Sequence, residues 1–162
     1  MTVAHASRTV PASGMAAAIA ALRANGLRIS TARRVALEAL FAADGPATVE
    51  ELAAGIEGRL PESDVASLYR NLETLEQLGL VRHLHAGHGA GRYVLSGQAP
   101  AGFVACERCG GFEPLSAEAV AAIRVLVAAE TGYEPGFTHF PIVGRCVACR
   151  ELSEEAQGHV HE

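Results

Sequence analysis

Four cysteines, Cys106-x-x-Cys109 and Cys146-x-x-Cys149, are the only thiols in the chain. Two such knuckles supply four thiolates, the donor set of a tetrahedral structural zinc site. A four-thiolate site leaves no open coordination position for water or substrate, and no nucleophile–base pair stands elsewhere, so the chain reads as a non-enzyme. Gly110-Gly111 permits the tight turn that lets backbone amides face the sulfurs. The competing chemistry is a pair of disulfides formed on zinc release, which a reducing cell interior disfavours. The histidines are a second set of donors. His83, His85 and His88 fall within six residues, and His139 is the only one in the second half before the tail. Three imidazoles so close along the chain fit a divalent metal centre; contacts to phosphate or to solvent are the alternative. His5, His159 and His161 belong to the two tails.

The elements that must hold these groups divide near Ser96–Gly102, where Ser-Gly-Gln-Ala-Pro-Ala-Gly breaks all periodicity. Before it, the spacing predicts four helices. Ser13 to Ala24 is the first, stopped by Asn25-Gly26. Thr31 to Ala42 is the second, capped by Ser30 or Thr31, with Val35, Leu37, Leu40 and Phe41 as its stripe. The third starts at Thr48, three residues before Glu51 in a capping-box spacing, and runs to about Gly58. The fourth is capped by Ser63 or Asp64, turns Val65, Leu68, Leu72, Leu75 and Leu78 inward, and stops at Gly79. The period then falls to two, and Leu80–His85 and Arg92–Leu95 read as a hairpin around a glycine-rich tip. Helices closed by a hairpin are the winged-helix arrangement. The second half reads as strand (Phe103–Ala105), strand (Gly111–Leu115), helix (Ser116 to about Glu130, with Gly132 beyond) and strand (Phe137–Val143). The expected class is α+β: a winged helix-turn-helix domain at 13–96, a hinge at 97–102, a small α/β domain with the four-cysteine site at 103–152, and a tail at 153–162. A sheet this small exposes its edges and a helix face, which dimerisation would cover.

The formal net charge of −5 argues, by itself, against nucleic acid. Its distribution does not. Residues 1–97 carry nine Arg against nine acids, and the deficit lies wholly in the second half; every cation is Arg. No stretch reads as a membrane span or a secretion signal, so the cytoplasm is the expected location.

Within the fourth helix, Leu68 and Leu72 face the core, leaving Ser67, Tyr69, Arg70 and Asn71 to offer hydroxyl, ring, guanidinium and amide groups to a DNA groove. The stretch from Pro61 to Val81 resembles the recognition helix of the ferric uptake regulator (Fur) family. Leu27–Arg33, Arg92–Leu95, Cys106–Gly110 and Thr138–Cys149 resemble further family motifs, in the right order, over about residues 15–152. The resemblance implies a homodimer that binds double-stranded DNA, an AT-rich palindromic operator, through the winged helix and dimerises through the second domain. It implies that Tyr69 and Arg70 touch a base and a phosphate, that Arg28 enters an AT-rich minor groove, and that Arg33 contacts the DNA backbone.

The chain also departs from the family pattern. The His-rich run that family members carry before the first knuckle is replaced by Ala99–Phe103, and the usual acidic position after it holds Pro114, with Glu113 adjacent. Regulatory ligands are therefore expected at His83, His85, His88 and His139, with Glu113 as a further candidate. His83 and His85 alternate on the wing strand and so share a face. Imidazoles from wing and second domain would meet only in a closed form, which a metal would then select. Zinc suits this imidazole set; iron, nickel and manganese are alternatives. The expected function is a metal-dependent repressor of metal-homeostasis genes, similar to zinc uptake regulators, with a thiol- or peroxide-sensing transcription factor as the alternative.

Overall fold

Most helices among the described residues open on a side chain that satisfies their first free N–H groups. In the computed structural model, which describes residues 14–55, 64–85, 89–137, 139 and 141–151, Ser30 accepts from the Arg33 N–H to open α2 (Thr31–Ala42). Thr48 and Glu51 form a full capping box on α3 (Val49–Ala53). Of the two candidates before α4 (Val65–Gln77), Asp64 is the cap, accepting from Ser67 at 2.6 Å. Only α1 (Met15–Ala24) lacks a side-chain cap; it begins at Gly14 and is held by burial of Ala18 and Leu22.

The chain divides into two compact units, Met1–Leu84 with Gly91–Ala99, and His85–Ala90 with Pro100–Glu162. In the first, Leu22, Leu37, Leu40, Leu68, Leu72, Leu75, Val81 and Leu95 make one continuous core. Each such side chain fully withdrawn from water contributes about 1.5–3 kcal/mol. A sheet of order β1-β3-β2 closes this core, with β1 at Ala47–Thr48, β2 at Val81–Leu84 and β3 at Arg92–Leu95, all antiparallel. The two-residue β1 was not foreseen: it is too short to show a period. Its register is set by Arg92, which stands opposite Thr48 and donates to Pro46 O at 2.9 Å and to Glu51 Oε2 at 3.0 Å. That same Glu51 oxygen accepts from the Thr48 N–H at 2.8 Å. One carboxylate thus closes the start of α3 and anchors the wing.

The second unit is a sheet of order β5-β4-β6 with one helix. β4 (Gly102–Cys106) is antiparallel to β5 (Phe112–Leu115) and parallel to β6 (Ile142–Gly144). Ser116 caps α5 (Ala117–Thr131), and Gly132 ends it in the left-handed conformation, φ 72°. A Cβ at Gly102 would sit 3.1 Å from Val120 Cγ2, so glycine there lets α5 lie close over β4.

Several expectations need correction. α3 ends at Ala53, because Gly55 takes φ +70° and breaks the helix; its expected continuation to Gly58 lies outside the described residues, as does Ser63. The last strand is Ile142–Gly144, not Phe137–Val143: Pro141 has no N–H to give a ladder, and pairing begins after it. Val65 is 41% exposed, since it sits in the first turn, beyond the reach of the core. In α2 the buried stripe is Ala36, Leu37, Ala39 and Leu40, with Val35 and Phe41 only half-buried.

On the wing, His83 stands opposite Tyr93 and stacks on it, ring centroids 4.4 Å apart and planes within 2°. The His83 ring also covers Gly91, where an added Cβ would overlap Nε2. Gly91→Ala is therefore expected to drive His83 off Tyr93 and destabilise the unit by about 1–3 kcal/mol. The Gly91→Ala/His83→Ala double variant should recover most of that loss relative to His83→Ala. Urea unfolding of the four proteins checks this; additive losses would show that ring and glycine do not meet.

Candidate metal centre and nucleic-acid interface

The four sulfurs come together because two unrelated turns are brought side by side. Cys106 is the last residue of β4; its N–H donates to Gly111 O at 2.8 Å and its carbonyl accepts from Gly110 at 2.9 Å, which closes the first knuckle. Gly110 has φ +71°, where glycine is favoured, and a Cβ at Gly111 would press on Cys109 Sγ at 3.4 Å. The second knuckle follows β6 and leads into a helical turn at 147–151, with Arg150 donating to Cys146 O at 3.0 Å. The Cys146 N–H points at Cys106 Sγ, 3.4 Å away, and Cys109 Sγ lies 3.9 Å from Cys146 Sγ.

All four sulfurs lie within 4.8 Å of one another. A tetrahedral zinc with Zn–S bonds near 2.3 Å needs sulfurs about 3.7 Å apart, so the cradle fits the ion with slight contraction. Its electrostatics fit too. Amide N–H groups of Cys109, Cys146 and Arg108 pull the Cys106 thiol down to about 6, whereas hydrogen bonds from neighbouring sulfurs, Cys146 first, push Cys149 up to about 12. Four thiols packed this tightly cannot all ionise without a cation among them. Among the described residues, no other group of three or more His, Cys, Asp or Glu side chains is arranged to share an ion.

The histidines divide. His85 meets His139: its N–H donates to His139 O at 3.3 Å, and the rings lie 5.4 Å apart at 59°. His83 is committed to its stack on Tyr93. Because β2 ends at Leu84, the alternation expected to place His83 and His85 on one face does not extend to His85. Glu113 lies exposed on β5 opposite Val104. His88, like His5, His159 and His161, falls outside the described residues.

On α4, Tyr69 is 46% exposed and Arg70 is exposed, while Ser67 is half-buried. Asn71, expected to offer its amide to a groove, is instead buried, and its Nδ2 donates back to Ser67 O at 2.8 Å. It faces inward because it adjoins Leu72 and lies one turn on from Leu68. Arg28 is exposed in the loop before α2. Arg33 Nη1 donates to Arg28 O at 2.5 Å, and its Nε is buried without a partner among the described residues. Sequence reasoning missed this tie between the two arginines, as it missed Arg92 with Glu51 and Arg108 with the Cys149 carbonyl; only the capping-box spacing of Glu51 carried any signal.

The chain matches the Ferric uptake regulator family over residues 24–139. The peroxide operon regulator of Bacillus subtilis is 29% identical over 134 residues, covering 82% of this chain and 90% of that protein. The ferric uptake regulator of Helicobacter pylori has the same fold, with a TM-score of 0.65 and 18% identity over 82% of this chain and 88% of that one. A zinc uptake regulator solved in complex with zinc and DNA aligns with a TM-score of 0.50 and 25% identity, over 86% and 94% of the two chains. No helix among the described residues is long and apolar enough to cross a membrane. The family match takes in most of both units and the first cysteine knuckle, well over half the sequence, and the chain belongs to the Ferric uptake regulator family of DNA-binding transcription regulators.

Proposed function

We propose that this regulator is a metal-dependent repressor, in which the four cysteines hold a structural zinc and a second divalent ion at His85 and His139 governs DNA binding. The observation that carries the reading is the pairing of His85 with His139, two imidazoles from distant parts of the sequence set side by side. Two imidazoles are an incomplete set for zinc, iron, nickel or manganese, so further ligands, His88 or water, are needed. His83 and Glu113 are weaker members: the first is stacked on Tyr93, and the second stands on an exposed strand. Zinc suits an imidazole set with few carboxylates. The domain limits proposed are 13–96 and 103–152, joined by a hinge at 97–102.

The DNA face proposed is Tyr69 and Arg70, with Ser67 beside them, on α4 and Arg28 in the loop before α2. Tyr69 and its neighbours would read bases in an AT-rich palindrome, and Arg28 a narrow minor groove. Arg33 acts at least in part by holding the Arg28 carbonyl. A palindrome calls for a homodimer, and α5 supports one. It buries only Val120 and leaves Val125 and Leu126 at 69% and 66% exposed, a face that a second copy would cover.

A second reading, peroxide sensing, is favoured by the 29% identity to the peroxide operon regulator. It requires a redox-active ion, and oxidation of a ligating histidine would add one oxygen to it.

Fluorescence anisotropy on AT-rich palindromic duplexes, with protein stripped of its loosely held metal and then given each divalent ion, tests the main reading. Metal should tighten binding at least tenfold. Tyr69→Ala should cost about 5–150-fold and flatten sequence preference, whereas Arg28→Ala should mainly lower affinity and the salt dependence. His85→Ala/His139→Ala should bind DNA alike with and without metal; if it responds as the wild type does, the regulatory site lies elsewhere. Mass spectrometry of iron-loaded protein after peroxide separates the second reading, which predicts a single added oxygen on His85 or His139. Leu126→Glu should sediment as a monomer, and a variant that remains dimeric would remove α5 from the interface.

A further inference from the structure

The two residues inside the first knuckle, Glu107 and Arg108, both reach across to the second. Arg108 Nη1 donates to Cys149 O at 3.0 Å. Glu107 accepts from Arg145 Nε at 2.7 Å, and its own N–H donates to Gly144 O at 2.9 Å, extending the β4–β6 ladder. The Cys146 N–H adds its approach to Cys106 Sγ at 3.4 Å. These contacts, together with the approach of Cys109 Sγ to Cys146 Sγ, join the knuckles, and none of them passes through a metal.

We propose that Arg108, with the Glu107–Arg145 ion pair, is a clasp that holds the two knuckles in register and sets how firmly the zinc is kept. This rests on the reading of the four cysteines as a zinc site. The need for a clasp follows from the topology. Cys146 and Cys149 are delivered by β6, three residues at the edge of the sheet, and a strand that short cannot by itself fix where a following turn lies. Arg108 grips the far end of the second knuckle, at the ligand Cys149, and Arg145 grips the near end, one residue before the ligand Cys146. The second knuckle is thus held at both ends. Four thiolates around a divalent ion also carry excess negative charge, which the Arg108 and Arg145 guanidiniums oppose. The ion pair is about half exposed on both sides and by itself contributes little. The Arg108 bond is charge-assisted and partly buried, so it carries more of the effect.

The experiment follows zinc leaving full-length protein into excess chromogenic chelator. Wild type, Arg108→Ala, Arg108→Lys, Glu107→Gln and the exposed control Arg150→Ala are compared. Loss of an outer-shell partner of this kind typically weakens metal binding by about 10–100-fold. Arg108→Ala should accordingly release zinc roughly tenfold faster, Glu107→Gln by a smaller factor, and Arg150→Ala at the wild-type rate. Arg108→Lys, which keeps a cationic donor, should recover part of the retention and guards against misfolding of the alanine variant. Cobalt-substituted proteins should all show the same tetrahedral thiolate spectrum, because the four sulfurs are untouched. Release rates for Arg108→Ala and Glu107→Gln within twofold of a zinc-bearing wild type would overturn the clasp. A wild type that binds neither zinc nor cobalt would overturn the zinc reading beneath it.

Discussion

Two Cys-x-x-Cys turns must meet before the C-terminal unit has anything to fold around. Among its described residues, the buried apolar side chains are Phe103, Ala105, Cys106, Val120, Pro141 and Cys149, and two of those six are the cysteines themselves. A core of that size does not offset the chain entropy of a unit this long. Structural zinc in small domains contributes about 10–16 kcal/mol at neutral pH, which is then folding free energy. The four sulfurs lie within reach of one ion, and the amide groups around Cys106 are already turned to stabilise a thiolate. The weak β6 edge, the glycine turn at Gly110-Gly111 and the crossing side chains all serve that single meeting point.

The N-terminal unit is built on the opposite principle. Its leucine core needs no staple, and polar groups are used there to place elements against one another. Glu51 is the clearest case: it closes the capping box of α3 and receives Arg92 from the wing, so a helix start and a strand register depend on one carboxylate. Tyr93, next along β3, stacks on His83; burial, then the carboxylate of Glu76, raises its phenol above the ordinary tyrosine range, which marks the ring as packed towards α4. The strand pair β2–β3 thereby borders α4. Tyr69 and Arg70 are free to face a ligand because Leu68, Asn71 and Leu72 turn the other way.

The two sets of candidate metal donors differ in how they are organised. The cysteines are arranged by hydrogen bonds among their own turns, as a site that must stay occupied would be. The histidines are arranged by pairs: His85 with His139, and His83 with Tyr93. On the function proposed, a site built on such a pair would bind more weakly and exchange faster than a closed four-thiolate cradle, the difference expected between a sensing ion and a structural one.

The sequence by itself determined whatever rests on short-range periodicity and spacing. Most of the helical stripes, the Thr48 cap, the narrowing of the α4 cap to Ser63 or Asp64, the change of period at Leu80 and the paired cysteine knuckles are local patterns, and local patterns are written in neighbouring residues. Tertiary structure alone decided which distant groups meet. The two residues of β1 find β3 through an arginine forty-odd positions away. Asn71 turns inward with Leu72 instead of outward with Arg70, His83 is taken by Tyr93, and His85 finds His139 where spacing had paired it with His83. The Arg92 and His139 contacts join segments remote in the chain, the His83 stack is fixed by hairpin register, and Asn71 is tied one turn back along its own helix; which partner such a group meets leaves no periodic trace in a single sequence.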